Sequence, residues 1–328
     1  MTRCTPHSQI TVLRRDRVAW ITAILADARY SDRVTSRLAV VTVTYSPGPH
    51  LDAFLSTLAV ATRERPEVIL ADNGSTDGAP EAAAEKYSTT VRLLRTGANI
   101  GYGAAVNRAV AEVDPAVEFI VVANPDIRWS MGAIDVLLAA AGRWPRAGSL
   151  GPLIRNTDGS VYPSARQVPT LFAGGAHAVL GSVWPSNPWT RKYRQENERI
   201  TERAVGWLSG SCLLLRRAAF DSVGGFDSRY FMYMEDVDLG DRLGKEGWLN
   251  VYVPGAEITH AKGHAAGRHP EIMLPAHHES AYRFQADRHP HWWQAPLRAA
   301  LRGGLKARSK VVVAAALRSE RDSRKEVS

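Results

Sequence analysis

Five short stretches of this chain carry side chains that could do chemistry. Thr44-Tyr45 closes one apolar run, and Asp72-Asn73-Gly74-Ser75-Thr76-Asp77 and Asn124-Pro125-Asp126 close two others. Met234-Glu235-Asp236-Val237-Asp238 places three carboxylates within four residues. A carboxylate accepts hydrogen bonds from a base N–H or a ribose hydroxyl, holds a hard divalent cation, or takes a proton as a general base. In Ala98–Ala109, Gly101 and Gly103 mark a loop-to-helix junction. Glycine there allows close approach to a ligand, and a helix N-terminus favours phosphate. The spacing is Gly-x-Gly only and follows a third strand, so it is not the dinucleotide fingerprint.

Each stretch also has a plainer reading. Asp72 can cap the turn that follows it, and Asp77 reads as a turn residue. Asn107 can be a buried structural hydrogen bonder. Acidic residues that open a helix are favoured by its dipole alone.

The elements that must position these residues decide how much weight the clusters bear. Leu38–Tyr45 (LAVVTVTY) is the β-branched run expected of a strand buried on both faces. Helical spacing follows, then the strand EVILAD (Glu67–Asp72), a helix, the strand VRLLRT, another helix, and the strand VEFIVVAN (Val117–Asn124). Strand and helix alternating at these lengths imply a parallel sheet with right-handed crossovers, an α/β architecture. Ligands of such sheets sit beyond the carboxyl ends of the strands, where Thr44-Tyr45, Asp72 and Asn124-Pro125-Asp126 should converge.

The second half changes character. Residues 150–166 read as a strand pair about an Asn-Thr-Asp-Gly turn, and 167–203 as a Pro- and Trp-rich loop. Val205–Arg217 (VGWLSGSCLLLRR) is strand-like, a short helix runs from Asp236 to Gly247, and WLNVYV is the last strand, with His260 just beyond it. The expected organisation is an N-terminal extension (1–36), a catalytic domain (37–265, divided at 126/127 into nucleotide- and acceptor-binding halves) and a C-terminal helical segment (266–328).

The chain has 328 residues, 45% of them hydrophobic, enough for one large core. Its two cysteines, Cys4 and Cys212, suit a reducing compartment rather than a disulfide framework. No signal peptide is legible at the start, and no apolar run approaches the ~20 residues that span a bilayer. The net charge of +8 sits at the ends: residues 1–37 net +4, residues 281–328 net +7, and the body about −3. A mildly acidic body argues against nucleic acid as a partner. Basic ends are either simply solvated or touch an anionic surface.

Together the motifs resemble the family-2 glycosyltransferases of the GT-A fold, a Rossmann-like, mostly parallel central sheet flanked by helices. The resemblance covers residues 38–265. It rests on the order strand-Thr-Tyr, Ala-Asp-Asn-Gly-Ser-Thr-Asp-Gly, Asn-x-Gly-Tyr-Gly, Asn-Pro-Asp, Gly-x-x-Ser-Gly, and Gly-Gly-Phe-Asp ahead of Glu-Asp-x-Asp. It implies that Thr44, Tyr45, Asp72, Asn99, Gly101, Tyr102, Asn107, Asn124 and Asp126 face a nucleotide-sugar donor. Asn124-Pro125-Asp126 corresponds to the family's DxD metal motif with the first Asp replaced by Asn. That leaves Asp126 as the ligand of a divalent metal (Mg2+ or Mn2+), with His260 as a second. Asp236 is the implied general base of an inverting transfer, with Glu235 orienting it. Trp207, Ser209 and Gly210 lie on the acceptor side, where Trp207 could stack on a sugar or be a core residue.

The stretches VTYSPGPHLDAFLSTL, VILADNGSTDG, TGANIGYGAAVNRA and VGWLSGSCLLLRR resemble the actinobacterial WbbL-type rhamnosyltransferases more closely. That subgroup implies dTDP-L-rhamnose as donor and N-acetylglucosaminyl-diphospho-decaprenol as polyprenyl-linked acceptor, in synthesis of the arabinogalactan linker of the cell wall. Transfer of another sugar, such as galactofuranose or N-acetylglucosamine, is the nearest rival. A nucleotidyltransferase is disfavoured because Ser46-Pro47-Gly48-Pro49 lacks the Arg and Lys of that class's first loop. A lipid acceptor gives the C-terminus a role. His289-Pro290-His291-Trp292-Trp293 precedes a basic segment with Leu297, Leu301 and Leu305 at helical spacing, interrupted by Gly303-Gly304. Trp beside Arg and Lys is an interfacial composition, so a peripheral place on the cytoplasmic face of the cell membrane is expected. The sequence sets no oligomeric state.

Overall fold

A computed structural model describes residues 36–171, 200–261 and 270–327 of the protein. Most of the 1–36 extension and of the 167–203 loop lies outside the described residues. The described residues from Arg37 onward belong to one compact unit.

The alternating half forms as its apolar periodicity dictates. Strand β1 (Leu38–Thr44) is buried along its whole length. Helix α1 (His50–Ala61) follows, then β2 (Glu67–Asp72), α2 (Ala79–Lys86), β3 (Val91–Arg95), α3 (Tyr102–Val110) and β4 (Phe119–Ala123). These four strands lie side by side as β3-β2-β1-β4, all parallel. Side chains alternate between two hydrophobic layers. Val40, Leu70 and Val121 face α1, and Val41, Ile69 and Val122 face α3.

The second half extends the same sheet. Its elements are β5 (Ile127–Trp129), α4 (Ala133–Arg143), β6 (Ala147–Asn156), β7 (Val161–Tyr162), β8 (Ala165–Arg166), β9 (Arg203–Val205), β10 (Trp207–Leu208), β11 (Cys212–Arg216), α5 (Arg217–Ser222), α6 (Glu235–Lys245) and β12 (Leu249–His260). The path continues β4-β11-β6-β12-β5. Strand β11 is antiparallel to both β4 and β6, and β12 is parallel to β6. The sheet is therefore mixed but mostly parallel. Because β11 runs backwards, its first residues lie at the same sheet edge as the carboxyl end of β4.

Three expectations change. The stretch 205–217 holds the end of β9 and the two strands β10 and β11, broken at Gly206 and at Ser209-Gly210-Ser211. Strand β12 runs through His260 instead of stopping short of it, because Ile258–His260 pair with both β6 and β5. Beyond α7 (Pro270–Asp287), α8 spans Ala295–Val327 as one helix, straight through Gly303-Gly304. A glycine costs a helix only about 1 kcal/mol, and packing against α7 outweighs that.

Helix α7 is fastened to the helix that opens with Glu235. Phe284 is buried in a cluster with Trp207, Tyr230 and Val237. Ser280 Oγ donates to the Met232 carbonyl at 2.9 Å, and Arg229 pairs with Asp287 at 2.7 Å. Phe284→Ala should therefore destabilise the protein by about 3–5 kcal/mol. Chemical denaturation checks this, and limited proteolysis should release the 270–327 region first.

Candidate active site

Strand pairing builds the first part of the site. In the β5–β12 ladder Ile127 lies opposite His260, and the Ala261 N–H donates to the Asp126 carbonyl at 3.0 Å. This brings His260 Nε2 within 3.0 Å of Asp126 Oδ1 and 3.4 Å of Asn124 Nδ2. The Asn124 N–H donates to Ser211, linking this corner to the start of β11. Burial pushes the Asp126 carboxyl up, but the hydrogen bond and charge of His260 outweigh it and hold it below the usual range; His50 adds to that.

The pair suits a divalent ion. Adjacent ligands of an octahedral ion at about 2.1 Å stand about 3.0 Å apart, which is the Asp126–His260 separation. Nδ1 of His260 is buried without a partner. Among the described residues no cluster of three His, Cys, Asp or Glu could hold a metal. Among the described residues this corner could thus offer two ligands, and a bound diphosphate and water would complete the shell.

Helix α6 supplies the second part. The two residues before it, Tyr233 and Met234, sit in the left-handed region at φ 66° and 67°, a strain of about 1–3 kcal/mol each. The helix opens on Glu235 and Asp236. Asp236 accepts from the Gly210 N–H at 2.9 Å and the Val237 N–H at 2.8 Å. Burial raises both carboxyls. For Glu235, burial and the neighbouring Asp236 charge reach about 8, and one of its oxygens is buried without a partner. For Asp236, the backbone N–H groups and Arg166 pull back against burial. The pair thus keeps a proton on Glu235 and the charge on Asp236, which has the donors. Asp238 serves the scaffold: it accepts from Arg242, which donates to the Val223 and Gly225 carbonyls.

At the ends of β1 and β2, Thr44 Oγ1 donates to Asp72 Oδ1 at 2.9 Å, and the Ser75 hydroxyl donates to the same oxygen. Asp72 Oδ2 accepts only the long Ser75 N–H contact at 3.3 Å, which leaves it capacity for a ligand. Tyr45 is 52% exposed at the rim. Asp77 holds the Gly48 and Ala79 N–H groups, as a turn residue does.

Other expected contacts are corrected. A Cβ on Gly101 would lie 2.5 Å from the Phe231 carbonyl oxygen, and one on Gly103 would lie 2.8 Å from Phe226 Cβ. These glycines admit the 225–231 segment of the chain itself rather than a phosphate. The Tyr102 N–H at the helix start donates to Phe231. Asn107 spends both ends of its amide on the Phe226 backbone, at 2.7 and 2.9 Å, so it has none left for a donor. Asn99 accepts from Gly101 N–H and Asn73 Nδ2, shaping its own loop. The buried Tyr102 hydroxyl donates to the Gly210 carbonyl, tying α3 to the Asp236 corner. Trp207 is buried, and its indole N–H donates to Gln167. The expected sugar-stacking surface is therefore closed. Ser209 shares a hydrogen bond with Ser211, while Gly210 supplies the N–H to Asp236. Sequence reasoning missed Arg166 and His50, whose charges act on Asp236 and Asp126. Neither lies in a motif; only tertiary pairing brings them in.

With this geometry in view, residues 39–224 match the model of Glycosyl transferase family 2. The chain belongs to that family and is a glycosyltransferase. It is 62% identical over 297 residues, 88% of this chain and 96% of the relative, to N-acetylglucosaminyl-diphospho-decaprenol L-rhamnosyltransferase of Mycobacterium tuberculosis. It is 30% identical to rhamnosyltransferase WbbL of Escherichia coli, over 58% of this chain and 72% of that one. A crystal structure of GalNAc-T7 with UDP, GalNAc and Mn2+ shares the fold at TM-score 0.53 and 14% identity, covering 70% of this chain and 45% of that one.

The Glu235 shift has a consequence for stability. The folded protein keeps this proton up to about 8, whereas the unfolded chain releases it near 4.5, the ordinary value of a glutamate. Between those values the folded state binds more protons, so this contribution to stability is complete below the lower value and is lost as pH rises through the upper one. Glu235→Gln should flatten the decline of stability between pH 5 and 8, read as denaturation midpoints across that range.

Proposed function

We propose that this chain transfers L-rhamnose from dTDP-L-rhamnose, with inversion, to N-acetylglucosaminyl-diphospho-decaprenol in synthesis of the arabinogalactan linker. The observation that carries the chemistry is the buried Asp236 carboxylate, held by two backbone N–H groups at a helix N-terminus. The choice of donor and acceptor rests on the likeness to the M. tuberculosis enzyme. Residues 37–126 serve the nucleotide and 127–265 the acceptor.

In this reaction Asp236 takes the proton of the acceptor hydroxyl. The hydroxyl oxygen bonds to the anomeric carbon of rhamnose, and the bond from that carbon to the dTDP oxygen breaks. Glu235, already protonated, leaves Asp236 as the single base. Asp72, Thr44 and Tyr45 line the nucleoside side. Asp126 and His260 would hold a divalent metal (Mg2+ or Mn2+), which would neutralise the departing diphosphate.

The acceptor is a membrane lipid, and the C-terminal region suits an anionic bilayer. Trp292 and Trp293 are 85% and 61% exposed ahead of the basic helix α8. Among the described residues no helix is long and apolar enough to cross a membrane. We assign a peripheral position on the cytoplasmic face of the cell membrane.

Asp236→Asn should lower kcat by at least about 100-fold and leave dTDP-rhamnose binding intact; retained turnover would remove Asp236 as base. EDTA should stop transfer to a synthetic N-acetylglucosaminyl-diphospho-lipid, and Mg2+ or Mn2+ should restore it. The double change Trp292→Ala with Trp293→Ala should weaken sedimentation with anionic vesicles but spare transfer to a short-chain, soluble acceptor.

A further inference from the structure

The acceptor proposed above carries a diphosphate of its own, and the Asp126–His260 corner serves the donor's. Among the described residues Arg166, in the ladder that leads to Gly210, has a carbonyl and two aromatic rings as its partners and no carboxylate. Arg166 ends β8, and its partner across the two-stranded ladder is Trp207. Three residues beyond Trp207, the Gly210 N–H holds Asp236. The Arg166 Nε donates to the Pro163 carbonyl at 2.9 Å, which fixes one edge of the guanidinium. The guanidinium carbon lies 5.6 Å from the ring centres of both Tyr162 and Trp207. Among the described residues Arg229, Arg242, Arg143 and Arg288 all pair with carboxylates, whereas Arg166 pairs with none.

A guanidinium steadied by aromatic faces, with its outer N–H groups unspent, suits bidentate contact with a phosphate. Its position also matches the acceptor's chemistry. One sugar ring separates the reacting hydroxyl from the diphosphate, so the group that binds that diphosphate must stand close to the base. The β8–β10 ladder places Arg166 there, across from Trp207 and so near the Gly210 N–H that holds Asp236.

We propose that Arg166 binds the diphosphate of the lipid-linked acceptor and so sets the acceptor hydroxyl against Asp236. The inference rests on the acceptor class proposed above. Trp207 then acts as the support beneath the guanidinium rather than as a platform for the sugar.

The test is steady-state kinetics of Arg166→Gln and Arg166→Lys with two acceptors, an N-acetylglucosaminyl-diphospho-lipid and the neutral glycoside of the same sugar and lipid. Arg166→Gln should raise KM for the diphosphate acceptor roughly 10- to 100-fold, the range of a charge-assisted hydrogen bond. It should leave KM for dTDP-rhamnose unchanged and lower the rate on the neutral glycoside far less than that on the diphosphate acceptor, and an unchanged denaturation midpoint reports an intact fold. Arg166→Lys should recover part of the loss. An equal loss on both acceptors, or a rise in donor KM alone, would assign Arg166 to packing or to the donor and overturn the proposal. If the wild-type protein does not use the diphosphate acceptor, the acceptor reading itself fails. If it does and Arg166→Gln keeps the same preference over the neutral glycoside, only the role of Arg166 fails.

Discussion

Glu235 and Asp236 are neighbouring carboxylates buried together, and much of the second half of the chain exists to make that tolerable. Burying a carboxylate without partners costs several kcal/mol, and two adjacent ones cannot both ionise. The fold answers with the free N–H groups of a helix start, the Gly210 N–H from a broken strand, and a proton retained on Glu235. The left-handed residues Tyr233 and Met234 turn the chain so that this helix begins here. Asp238 and Arg242 then pin the preceding Gly224-Gly225 turn. The buried pair is thus accommodated by strain, dipole and backbone donors, with the Arg166 charge as a lesser contribution.

The reversed strand β11 makes this arrangement possible. Six strands of the sheet point one way and deliver polar residues to a common edge. An antiparallel strand inserted among them delivers its beginning to the same edge, so Ser209–Ser211 stand beside Asn124. The closing ladder of β5 with β12 then carries His260 to Asp126 across 134 residues of sequence. In the reaction proposed above, the two corners would serve the two ends of the transfer. A donor diphosphate needs cationic help where it leaves, and an acceptor hydroxyl needs a base where it attacks.

The α3 segment shows how a motif can be real and its reason misread. Gly101 and Gly103 look like a phosphate loop because glycine at a helix start commonly serves one, and Asn107 reads as a donor contact or as a structural hydrogen bonder. Here a Cβ would collide with Phe231 and Phe226, and the Asn107 amide is committed to backbone. The motif docks the segment that leads to Asp236. Its effect on catalysis runs through position rather than contact.

The sequence by itself determined the alternating elements, the strand ends that bear Thr44, Asp72 and Asp126, and the helix that opens on Glu235-Asp236. Apolar periodicity and carboxylates at element boundaries are local signals, and local signals survive in one dimension. Only the tertiary structure decided that 205–217 breaks at Gly210, that His260 belongs to the last strand, that Trp207 is buried and that Arg166 lies across the ladder from it. Each depends on pairing between residues far apart in the chain. A ladder register or a Cβ collision leaves no periodic trace in the segments that make it, so neither partner announces the other until the sheet is built.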